Sequence, residues 1–83
     1  VPNRLRMTGY EAAKRLLSLG GVTDISVGKV SGTLSDHYHP VKKVVNLSDA
    51  TYGSTSVAAV AVAAHEIGHV MQIFLGWIIL STA

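Results

Sequence analysis

Apolar residues recur along this chain in three rhythms, and each rhythm predicts a different element. Between Gly9 and Leu19, Ala12, Ala13, Leu16 and Leu17 recur at helical spacing behind Thr8 and Glu11, which form a Ser/Thr-x-x-Glu capping box. A first helix is predicted there, stopped by Gly20-Gly21, since glycine readily takes the left-handed conformation common just past a helix end. From Val22 to Val30 the rhythm changes to alternation, Ile25 and Val27 against Asp24 and Ser26, as a strand requires. Ser31-Gly32 signals a turn, after which Thr33 to Tyr38 and Lys43 to Leu47 read as a hairpin across His39-Pro40-Val41-Lys42. Ser48-Asp49 closes that strand and caps a short helical turn through Tyr52.

The third rhythm is an almost unbroken apolar run. After the loop Gly53-Ser54-Thr55-Ser56, whose hydroxyls are available as an N-cap, a long helix is predicted from about Val57 to Leu75. Val57 to Ala64 contains no polar residue, so the helix is expected to be buried on nearly every side. Only His65, Glu66, His69 and Gln72 interrupt it. Polar groups on such a helix are costly unless something pairs with them.

One ion would satisfy His65, Glu66 and His69 together. His65 and His69 stand four apart, so their imidazoles project from one helix face a turn apart, at a separation suited to one zinc ion. Glu66, beside His65, is placed to act as general base on a water at that metal and to pass the proton to a leaving amine. Gly68 leaves room for a neighbouring element. The rival reading makes His65 and His69 core histidines with Glu66 paired to one of them, which requires three separate compensations.

Catalytic zinc normally has three protein ligands, so a third is needed beyond the two histidines. Position 75 is Leu75 and no histidine follows His69, which excludes the metzincin pattern. Asp36, His37 and His39 are the clustered upstream candidates; a residue beyond Ala83 is the preferred one. Tyr38, His37 or His39 also qualifies to line the substrate cleft or donate to an oxyanion, against a plain reading in which Asp36 to Pro40 is simply a polar hairpin end. Tyr10, Tyr52, Phe74 and Trp77 read as packing residues.

Composition narrows the chemistry. The 83 residues suffice for one domain with a modest core. No cysteine is present, which removes disulfides and thiolate ligands, leaves the redox compartment open, and makes histidine and carboxylate the metal chemistry. Seven basic against five acidic residues give a formal charge of +2 with no basic cluster, so nucleic acid is not an expected partner. Val1 to Met7 is polar and basic and is not a signal peptide.

Asp36-His37-Tyr38, Lys43 to Ser48, Tyr52, Ser56 to Ala59, Ala63 to His69 and Gln72 together resemble the neutral zinc metallopeptidases of the YugP type, from about Met7 through Gln72. The resemblance implies zinc ligation by His65 and His69, catalysis by Glu66, and membrane helices before and after a domain like this one, so that both ends are truncations. That family usually has Asp where His39 stands.

These readings converge on an α+β fold: an N-terminal helix, a small mostly antiparallel sheet of about three strands, and a buried zinc-binding active-site helix, as in half of a zincin. Residues 1–83 are expected to form a single catalytic-core fragment, with 73–83 an apolar tail that either starts a membrane segment or marks an artificial chain end. The expected function is peptide-bond hydrolysis by zinc-activated water, with a peptide or protein substrate and membrane association of the whole protein. The alternatives are a non-catalytic zinc-binding scaffold and a membrane-interaction segment.

Overall fold

Thr8 opens the first helix as the capping box requires: its hydroxyl accepts from the Glu11 backbone N–H at 3.1 Å, and the Glu11 carboxylate accepts from the Thr8 N–H at 3.1 Å. The computed structural model describes Pro2, residues 4–30 and residues 36–82, the side chains of Phe74 and residues 76–82 excepted. Helix α1 spans Gly9–Leu19, followed by strands β1 (Ser26–Val30), β2 (His37–His39) and β3 (Val44–Ser48), the short helix α2 (Asp49–Tyr52) and the long helix α3 (Val57–Thr82). The expected Ser31-Gly32 turn, the start of the second strand at 33–35, and packing roles for Phe74 and Trp77 lie outside the described residues.

The exit from α1 explains why β1 starts later than the alternation suggests. Gly21 takes φ 73°, Gly21 N–H donates to Ser18 at 3.1 Å, and Val22 N–H donates to Leu17 at 2.9 Å. This is the paired-bond arrangement of a Schellman motif, accompanied by contact between the two buried apolar residues Leu17 and Val22. Val22 therefore belongs to the helix terminus and the core, and pairing begins at Ser26.

The sheet has three strands in the order β1-β3-β2. It is mixed rather than mostly antiparallel: β1 runs parallel to β3 over five residues, and β2 runs antiparallel to β3 over three. The central place goes to β3 because Val45 and Leu47 are its fully buried side chains, at 0% exposure. The β2–β3 turn is fixed by His39, whose Nδ1 accepts from the Lys42 N–H at 3.2 Å, and by Lys43 at φ 53°. Lys43 pairs with Asp24 at 3.1 Å, which holds that exposed carboxyl below its ordinary range through the hydrogen bond and charge of the ammonium.

Strand alternation divides the sheet into two faces. Val27, Val45 and Tyr38 share one row, and all three join the cluster that Ala12, Ala13, Leu17, Ala63, Ile67 and Val70 form between sheet and helices. Gly28, Asn46 and His37 share the next row, on the opposite face. Asp36 ties the start of β2 to the end of β3, accepting from the Ser48 N–H at 2.7 Å. Ser48 in turn precedes α2, its hydroxyl 3.3 Å from that of the buried Thr51.

Ser56 caps α3, its hydroxyl accepting from the Ala59 N–H at 3.0 Å. The expectation that this helix is buried on nearly every side is corrected. Ala59, Ala63, Ile67 and Val70 are buried, whereas Val57, Ile73 and Leu75 are each more than half exposed, and Ala58, Ala61 and Ala64 are exposed too. The sheet and α1 cover one stripe of the helix. Among the described residues, no helix is long and apolar enough to cross a membrane.

Two glycines test this packing in opposite directions. A Cβ at Gly9 would collide with the Thr51 backbone carbonyl, where α1 crosses α2, so Gly9→Ala is expected to cost about 1–3 kcal/mol. A Cβ at Gly68 meets no described atom within 4 Å, so Gly68→Ala is expected to stabilise by about 0.5–1 kcal/mol through helix propensity. Urea unfolding of the two variants checks both signs.

Candidate metal centre

The docked stripe of α3 determines where its polar residues go. At about 100° per residue, Ala59, Ala63, Ile67 and Val70 occupy an arc of about 80°, and the midpoint of His65 and His69 lies about 140° from its centre. Burying the first set turns the second outward, and both histidines are exposed. Glu66 falls between the two sectors and is half-buried.

The two imidazoles lie with ring centroids 4.4 Å apart at 60°. One ligand atom from each of His65, Glu66 and His69 can be chosen so that all lie within 4.8 Å of one another. Nitrogens bound to a single zinc lie at most about 4.2 Å apart, twice the metal–nitrogen distance of about 2.1 Å, so the donor set fits the ion with a modest adjustment of side-chain rotamers. The chemistry fits as well, with two imidazole donors on an open face and the Glu66 carboxylate beside them, which leaves space for water and a further ligand. Among the described residues, no other His, Asp or Glu joins this group.

The upstream candidates are placed elsewhere. His37 Nε2 lies 3.3 Å from the Asn46 amide nitrogen on the sheet face away from the helices, and His39 has the same orientation by alternation while it holds the turn through Lys42. Asp36 is engaged with Ser48. Of the three β2 residues, Tyr38 is the one turned toward the helices, packed against the core. The pairing of His37 with Asn46 was not foreseen from the sequence; the strand register places them opposite one another.

The chain is 48% identical over 65 residues to a Bacillus subtilis (strain 168) protein named "Putative membrane protease YugP", an alignment covering 78% of this chain and 29% of that relative. This chain thus spans less than a third of the relative's length. No solved structure matches it. A family model matches residues 1–82, nearly the whole chain and all of the histidine helix that is described, and on that match the chain belongs to the family described as "Putative neutral zinc metallopeptidase".

Proposed function

We propose that this chain is the catalytic core of a zinc endopeptidase, in which His65 and His69 hold the metal and Glu66 is the general base. The observation that carries the reading is the convergence of these three side chains on the open side of a helix whose other side is anchored in the core. Zinc bound there supplies Lewis-acid polarisation of the scissile carbonyl and lowers the pKa of water toward about 7.

The chain's own residues perform the remaining steps. Glu66, half-buried beside the histidines, accepts the proton from the attacking water as its oxygen bonds to the carbonyl carbon. The same carboxyl then delivers that proton to the amine nitrogen as the carbon–nitrogen bond breaks. His65 and His69 remain neutral donors throughout, and the α3 backbone keeps them a turn apart.

The third ligand is assigned to a residue beyond Ala83, since Asp36, His37 and His39 have other engagements in this fold. Residues 1–83 act as one unit of the longer protein, with 73–83 leading into a membrane segment. The relative's name, a membrane protease, supports locating that longer protein at a membrane, with peptides or proteins as substrates.

Calorimetric zinc titration tests the ligand assignment. His65→Ala and His69→Ala are each expected to abolish stoichiometric binding, whereas His37→Ala is expected to leave affinity within a few-fold of the original. An effect of His37→Ala as large as the roughly 10 to 100-fold seen for outer-shell losses would place the sheet residue at the metal.

The general base is tested in the full-length protein by Glu66→Gln, which preserves size and removes basicity. Zinc content is expected to stay the same while peptide hydrolysis drops by roughly 10² to 10⁴-fold. Loss of zinc from this variant would make Glu66 a ligand and the site structural; retention of both zinc and activity would locate the base elsewhere.

A further inference from the structure

The geometry points to Tyr38 as a substrate-binding residue whose hydroxyl donates a hydrogen bond to the carbonyl oxygen of the peptide being cleaved. The inference rests on the peptidase reading above and adds to it a group from the sheet.

Three observations carry it. Strand alternation turns Tyr38, and neither His37 nor His39, to the sheet face on which α3 packs. Its ring is seated against the core cluster that contains Ala63 and Ile67, so its direction is set by packing. Among the described residues its hydroxyl has no hydrogen-bond partner, and it is not sealed from solvent. A half-buried tyrosine ordinarily spends its hydroxyl on a neighbour, so a ring held rigidly with an open donor is suited to a ligand.

The placement of α3 supports the same side. Its Met71 flank meets the end of α1, where a Cβ at Gly20 would strike the Met71 methyl group. Glu66 lies about 140° around the helix from Met71, on the flank away from the end of α1. Strand β2 is the edge of the sheet and packs against α3, the helix that carries Glu66. As water adds to the carbonyl carbon, the carbonyl oxygen gains negative charge, and a fixed O–H donor aimed at it favours that change.

The test uses the full-length zinc-loaded protein and two probes, a cleavable peptide and a peptide phosphonamidate, whose tetrahedral anion mimics the charged oxygen. Tyr38→Phe is expected to keep zinc content and melting temperature, to lower kcat roughly 10 to 10³-fold with little change in KM, and to weaken phosphonamidate binding by a comparable factor. Val41→Ala, at an exposed position of the β2–β3 turn, is expected to leave both readouts near wild type. Unchanged kcat and phosphonamidate affinity in Tyr38→Phe overturns the inference and leaves the peptidase reading standing. Equal losses in the two variants also overturn it, because the effect would then belong to the hairpin as a whole. A wild-type protein that binds zinc but neither cleaves peptides nor binds the phosphonamidate overturns both.

Discussion

Everything near the histidines depends on the docking of one stripe of α3. Ala63, Ile67 and Val70 seat the helix in the cluster it shares with α1 and the sheet, Ala59 is buried on the same stripe, and the 3.6-residue repeat then turns His65 and His69 outward. The small residues in that stripe matter as much as the large ones. Ala63, fully buried, lets the neighbouring elements approach closely, and a larger side chain there would push the helix off its seat and rotate the histidine pair with it. Position and chemistry are thus coupled through a single contact surface.

The sheet obeys a parallel rule with a period of two. Seating Val45 and Leu47 in the core commits β3 to one orientation, and the register with β2 then assigns Tyr38 to the helix side and both histidines to the other. A slip of one residue would exchange them. Two contacts guard against it: Asp36 grips the Ser48 N–H at one end of the β2–β3 pair, and His39 holds the Lys42 N–H at the other. His39 therefore has a backbone-fixing role in a position where its residue type alone invites a metal-binding one.

The local elements were legible because their signals are short-range. The Thr8–Glu11 box, the glycine exit from α1 and the Ser56 cap are each written within a few residues, and each forms the expected bonds. What the sequence did not disclose is which elements become neighbours. The parallel β1–β3 pair depends on β3 entering between β1 and β2, a choice made by the burial of Val45 and Leu47 that no local pattern encodes. The long helix misled for the same reason: its uniformly apolar surface fits burial on all sides, and only the number of elements available to cover it limits burial to one stripe. The histidine pair was readable because both side chains lie on one helix, where spacing alone sets geometry.

Exposure of the histidines also settles an energetic question that burial would have raised. Placed inside the core, two imidazoles and a carboxylate would each need a partner to offset lost hydration, at a cost poorly absorbed where Leu47, Val45 and Val70 are the large fully buried side chains among the described residues. On the open face His65 and His69 stay hydrated without a metal, so they add no desolvation cost to the core. Glu66 is the exception, drawn partly under cover at the border between the two sectors. Partial burial there costs little and leaves the carboxylate beside both imidazoles, as the general-base role proposed for it requires.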